Sequence, residues 1–154
     1  MIKSTKLYFI DPGLAAFLVG IRSSNHILNH PLKGSLFENI VIAEIIKGSK
    51  NSGTFENYHF YRDSKGLEID LLYQSGNIIT PIEIKSSMTF SKLFADGIKK
   101  FRNISKTPVG KGIIFYNGED NLNHSENAVV NPFNLSEIGL WSFINSVKDE
   151  KPDY

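Results

Sequence analysis

Two short stretches put acids and a lysine where strand alternation would bring them onto shared faces. In Glu68-Ile69-Asp70-Leu71 the acids fall on one face, with Ile69 and Leu71 on the other. In Pro81-Ile82-Glu83-Ile84-Lys85, Glu83 and Lys85 share a face opposite Ile82 and Ile84. Pairing the two strands through the Ser75-Gly76-Asn77 turn would bring Asp70 close to Glu83. Neighbouring carboxylates repel, and burying them is costly unless a cation sits between them. An Asp and a Glu offer hard oxygen ligands of the kind that suits Mg2+ (or Mn2+), the rest of its shell coming from water and substrate phosphates. Lys85 would point into the same pocket, to orient or activate a water or to stabilise charge at a reacting phosphate. The reaction these groups would serve is phosphodiester hydrolysis. A third carboxylate, Glu38, would come from a helix upstream as a further metal ligand. An ordinary Glu–Lys pair on a solvated sheet explains the acid-x-Lys spacing equally well. The order of all four residues is more specific than any pair.

The elements that must position these groups follow from periodicity and turn residues. Lys6 to Ile10 reads as a short strand stopped by Asp11-Pro12-Gly13, then Leu14 to Val19 as a short apolar helix, with Arg22 to His30 a loop. Leu32 to Lys47 is the first long helix, ended by Gly48. Its apolar residues surround almost the whole cylinder, so it must be covered on most sides. At about 100° per residue, Glu38 falls between Ile45 and Ile42, and Glu44 between Phe37 and Ile40. Periodicity does not choose between these two acids.

Strands are expected over Asn57–Arg62, Leu67–Tyr73 and Asn77–Lys85, in an antiparallel meander. A helix from about Ser91 to Ile104 and a strand from Gly112 to Tyr116 follow. Strand, helix, strand in that order predicts a parallel pair joined by a crossover. Val129-Val130 is a further strand candidate. Leu135 to Val147, with Leu135, Ile138, Trp141 and Ile144 at near-helical spacing, reads as a terminal amphipathic helix that Trp141 anchors.

Composition narrows the classes. The 154 residues are 41% hydrophobic and 21% charged, the range of an ordinary globular domain. There is no cysteine, which excludes disulfides and thiolate sites and suits a reducing cytosol. No apolar run approaches the ~20 residues that span a bilayer, and no Gly-rich Lys-Ser/Thr phosphate loop occurs. The expectation is a cytoplasmic protein with no membrane segment and no ATPase module of that kind. Net charge is only +1, yet it is unevenly spread. Between Ser86 and Lys111, Lys92, Lys99, Lys100, Arg102, Lys106 and Lys111 face Asp96 alone, either as a solvated helix face or as a surface for phosphates. Lys92 and Lys99, with Arg62 at the end of its strand, are the candidate nucleic-acid contacts. Arg62 and Asp63 are also placed to form a local ion pair. His26, His30, His59 and His124 lack zinc-ligand spacing. The aromatic strand residues Tyr58, Phe60, Tyr61 and Tyr73 are expected to fill a core rather than stack bases.

A helical Glu, a strand Asp and a strand Glu-x-Lys, followed by a helix and a strand, resemble the PD-(D/E)xK nuclease superfamily, with Ile69 standing where the superfamily's name has Pro. More narrowly, KLYFIDPGLAAFL, GSLFENIVIAEI, YHFYRDSKGLEIDLLY and PIEIKSS are similar to an uncharacterised C-terminal domain that follows an AAA-type ATPase module in many prokaryotic proteins. The resemblance runs from about Lys6 to Tyr116. It implies a restriction-endonuclease-like three-layer α/β core with a mixed sheet, and it places Glu38, rather than Glu44, beside Asp70, Glu83 and Lys85 in the site. It also implies that the chain is a truncated or remnant part of a longer protein. The organisation expected is a tail of a preceding module over 1–30, a nuclease-like core over 31–118 and a C-terminal strand and helix over 119–154. Two functions follow: a Mg2+-dependent nuclease acting on DNA, or a catalytically inactive nuclease fold that binds nucleic acid or protein for an AAA-type ATPase. A homo-oligomer is compatible with either.

Overall fold

The computed structural model describes residues 6–54, 57–119, 121–123, 126–135 and 137–148. Six strands form one mixed sheet in the order β1-β2-β3-β4-β6-β5. The meander β1 (Asn57–Arg62), β2 (Glu68–Ser75) and β3 (Ile78–Lys85) is antiparallel. β4 (Gly112–Tyr116) then joins β3 in parallel, and β6 (Asn127–Val130) joins β4 in parallel. The short β5 (Leu122–Asn123) closes the edge antiparallel to β6. The meander and the parallel pair expected from the turn residues and the intervening helix are both present. The residues after 118 do more than pack on the sheet, since β5 and β6 are two of its strands.

Alternation along β3 and β4 divides the molecule into two apolar layers. Ile82, Ile84, Ile113 and Phe115 face one side, where α3 (Lys33–Asn51) and α5 (Leu140–Lys148) cover them with Val41, Ile42, Ile45, Trp141 and Ile144. Ile114 and Tyr116 face the other side, where α4 (Asp96–Ile104) contributes Ile98 and Phe101. At about 25 cal/mol per Å2, each of these fully buried side chains stabilises the fold by roughly 1.5–3 kcal/mol before entropy is counted. Tyr73 and Tyr58 stack edge-on or tilted around Trp141, with ring centroids 5.3 and 6.4 Å from the indole, so these aromatics do fill the core.

Several local expectations are corrected. Lys6 to Ile10 forms no strand, because the side chain of Asn39 supplies its partner: Phe9 N–H donates to Asn39 Oδ1 (2.7 Å) and Asn39 Nδ2 donates to Phe9 O (2.8 Å). The helix after it, α1 (Pro12–Leu18), begins two residues early because the Asp11 side chain caps it by accepting from Leu14 N. Arg22 to His30 is not all loop, since α2 (Ser24–Leu28) lies within it. Gly48 does not end α3. The helix continues to Asn51, and Gly48 is where α5 crosses it, a Cβ there lying 2.7 Å from Trp141 Cβ. The helix expected from Ser91 divides into a 3-10 turn (Lys92–Ala95) and α4. The terminal helix is likewise split. A 3-10 turn covers Pro132–Leu135, and Gly139, at φ +74°, redirects the chain into α5, leaving Ile138 exposed. Among the described residues no helix is long and apolar enough to cross a membrane.

Candidate active site

β2 is not the regular strand that its alternation implies. His59 pairs with Leu72 and Tyr61 with Ile69, so Phe60 of β1 spans both Asp70 and Leu71 of β2. This bulge breaks the two-residue period: Ile69 packs on the α4 side with Leu72, while Leu71 packs on the α3 side with Tyr73. Ile69 and Leu71 therefore do not share a face. The bulge places Asp70 between the acids of both layers.

β3, by contrast, is regular, and Glu83 and Lys85 share its α4-facing side as the alternation requires. Asp70 and Glu83 are buried, 7% and 4% exposed. Asp70 Oδ2 accepts from the backbone N–H of Ile84 (2.8 Å) and from Lys85 Nζ (3.1 Å), and Lys85 Nζ also donates to Glu83 Oε2. Asp70, Glu83 and Lys85 thus form one contiguous group. Gly97, in the first turn of α4, makes room for it, since a Cβ there would lie 2.5 Å from Glu83 Oε1.

A second lysine holds the other side of Asp70. Lys6 Nζ lies 2.6 Å from Glu68 Oε1, 3.0 Å from Glu38 Oε1 and 3.8 Å from Asp70 Oδ1. The Tyr8 hydroxyl donates to the same oxygen of Glu38. Packing also separates the two acids of α3. The Glu38 side chain is 17% exposed and belongs to the site, whereas Glu44 is 50% exposed and pairs with Lys47.

Electrostatics follow from burial and proximity. Burial, then the charge of Asp70, pushes the Glu83 carboxyl up to about 8, with a hydrogen bond between the two carboxyls adding to the effect and Lys85 opposing it. Burial alone would lower the pKa of Lys85, but the charges of Asp70 and Glu83 outweigh it and the net shift is upward. Lys85 is therefore an ammonium at neutral pH, suited to charge stabilisation and not to taking a proton from water. Lys6 behaves alike, its burial outweighed by its bonds to Glu68 and Glu38. Burial and Glu38 raise the Tyr8 phenol, which stays a hydrogen-bond donor.

The donor set tests the Mg2+ expectation. Among the described residues, the carboxyl groups of Glu38, Glu68, Asp70 and Glu83 are met by Lys6, Lys85 and the rim guanidinium of Arg62, 3.6 Å from Glu68. A buried carboxylate beside a carboxyl that burial keeps from ionising readily fits a hard cation between Asp70 and Glu83. Among the described residues no three His, Cys, Asp or Glu side chains converge to hold an ion by themselves. A cation at Asp70 and Glu83 would thus depend on water or a substrate oxygen for its other ligands. His124 lies outside the described residues.

A cleft of about 710 Å3 opens beside the group, lined by Glu83, Lys85, Glu68, Phe94 and Gly97, with Lys65 and Lys100 among its walls. Asp63 forms the turn above it by accepting from Lys65 N and Leu67 N, and Arg62 reaches Glu68 at 3.6 Å. Lys99 and Lys92 are exposed but do not line this cleft, and Lys92 borders a smaller pocket beside Ile114 and Val129. Arg102 is bound to the carbonyls of Val109 (3.0 Å) and Glu126 (3.4 Å), and Lys111 is buried, so the basic stretch is only partly a surface. Lys6, Tyr8, Glu68, Lys65, Lys100 and Gly97 were not singled out as site members by sequence. Two of them had a signal, Glu68 its shared face with Asp70 and Lys100 its place in the basic stretch.

A family model described as "Domain of unknown function (DUF4143)" matches residues 33–136, a span that contains the bulge, β3 and α4. No curated protein and no solved structure matches the chain.

Proposed function

We propose that this chain, which belongs to the DUF4143 family of domains of unknown function, is a Mg2+-dependent nuclease-like domain that hydrolyses phosphodiesters of DNA. The observation that carries this reading is the buried Asp70–Glu83–Lys85 group at the side of an open cleft. It is also what the resemblance to PD-(D/E)xK nucleases implies. Asp70 and Glu83 would hold the ion. When bound, such an ion acidifies a water and neutralises phosphate charge. The chain's own groups do the rest. The Lys85 ammonium, already fixed by two carboxylates, meets negative charge that develops on the phosphate. The amide of Ile84 and the ammonium of Lys85 hold Asp70 and Glu83 in place, so little reorganisation is left for the reaction. Lys65 and Lys100, on opposite elements of the cleft, would contact flanking phosphates.

The test is cleavage of DNA in Mg2+ or Mn2+ by the chain and by Asp70→Asn and Lys85→Ala. Both variants are expected to fold and to lose at least ~100-fold in rate, the scale of removing one preorganised charge partner. Equal residual cutting in both identifies a contaminant. Absence of divalent-ion binding in calorimetry ends the enzymatic reading.

The ammonium of Lys6 among three acids supports a second reading, a domain of this fold that binds DNA or protein without cutting, serving an AAA-type ATPase in the same protein or in trans. Metal-independent DNA binding with no cleavage by any variant would favour it. A second copy of the chain, which many such nucleases need to cut both strands, is a partner for sedimentation to detect.

A further inference from the structure

Lys6 reaches the site from a segment that has neither helix nor strand of its own. Two contacts with a single turn of α3 deliver it: Asn39 holds the N–H and C=O of Phe9, and the neighbouring Glu38 accepts from Tyr8. Asn39 is buried, so its two bonds to Phe9 are shielded from water. The ammonium ends beside Glu68, Glu38 and Asp70 and 4.7 Å from the centroid of the Phe60 ring, the ring that spans the bulge. Asp70 is consequently shared between two lysines, one on each oxygen.

We infer that Lys6 is a positioning residue that acts as a resident cation: it balances Glu38 and Glu68 and limits the site to one divalent ion, held by Asp70 and Glu83. This rests on the metal reading above. Hydrolytic phosphoryl sites that use two ions set them about 3.5–4 Å apart around shared carboxylates. Here the second such position, beside Oδ1 of the shared Asp70, holds an ammonium tethered by its own chain. A tethered cation is present at fixed effective concentration and loses no translational freedom on binding, so a free ion must outcompete it. Removing the charge while keeping the length of the side chain should leave Glu38, Glu68 and Asp70 mutually repelling and open to a second ion.

The experiment titrates the full chain and Lys6→Met with Mn2+ by calorimetry, with thermal unfolding in metal-free buffer and in excess Mn2+. Lys6→Met is expected to take up one Mn2+ more per chain than the parent. Its metal-free midpoint should be lower, and Mn2+ should raise it by more than it raises the parent's. Lys6→Arg, which keeps the charge, should restore the parent stoichiometry. Equal Mn2+ uptake by parent and Lys6→Met overturns the role of Lys6 and leaves the metal reading intact. Uptake by neither overturns both. If metal-free Lys6→Met does not fold, folding in Mn2+ supports the inference, and failure to fold in Mn2+ overturns it.

Discussion

Each face of the sheet has a helix glycine that lets another group come close, and the groups admitted differ in kind. On the α3–α5 face, Gly48 gives way to the Cβ of Trp141, which packs in a largely apolar cluster. On the α4 face, Gly97 gives way to the carboxyl of Glu83, which is buried with Asp70 and Lys85. The same omission of a methyl thus serves packing on one face and the burial of charge on the other. Packing is non-directional and tolerates many side chains of the right volume. A buried carboxyl is held only by specific partners, and its ionisation stays under strain until a cation arrives. One face stabilises the fold, and the other stores an unfavourable charge arrangement where chemistry is proposed.

The sharpest way to break this comparison is to restore both methyls. A Gly→Ala change inside a helix ordinarily gains about 1 kcal/mol. Gly48→Ala should instead lose roughly 1–3 kcal/mol in urea unfolding, because α5 must move away from the new methyl, with Mn2+ binding unchanged. Gly97→Ala should displace the Glu83 carboxyl, weakening Mn2+ about tenfold (about 1.4 kcal/mol) while costing less than about 1 kcal/mol in stability. Equal losses of stability with no change in metal affinity would erase the distinction.

Acidity sharpens it further. The folded Glu83 carboxyl titrates near 8 against 4.5 for an ordinary Glu, so between those values the folded chain holds a proton that the unfolded chain has released. Its contribution to stability is therefore full below about pH 4.5 and is lost as pH rises towards 8, with a slope of at most ~1.4 kcal/mol per pH unit. Metal-free unfolding should show this decline, and Mn2+ should flatten it by favouring the ionised form. Glu83→Gln should remove it and Gly48→Ala should not. A slope untouched by Glu83→Gln would mean that another group titrates.

The smallest effect expected separates two adjacent lysines of α4. Lys100→Ala should lower the salt slope of DNA binding by about 1, and Lys99→Ala should leave it unchanged, since only Lys100 lines the cleft. Identical slopes would move the DNA off this face.

Legibility followed the regularity of each element. β3 obeys strict alternation, so Ile82 and Ile84 in the core and Glu83 and Lys85 in the site could be read from five residues. β2 could not be read this way, because its bulge exists only in its pairing with β1, opposite Phe60. In α3 the apolar residues encircle the helix, so periodicity left Glu38 and Glu44 equivalent and only the family resemblance favoured Glu38. Glu38 then fell beside Lys6 and Glu44 remained at the surface with Lys47. The basic stretch pointed to Lys99, yet the helix turns Lys100 into the cleft.

From the sequence alone came the class of fold, the strand meander and its parallel continuation, and the residue types of the site. These are set by local periodicity, turn residues and apolar patterning, which act over a few positions. Tertiary structure alone decided that Asp70 turns between the two layers and that Lys6 arrives from more than thirty residues away in sequence. Those outcomes depend on strand register and on which helix face is covered, and both are settled by contacts between segments that no local pattern encodes.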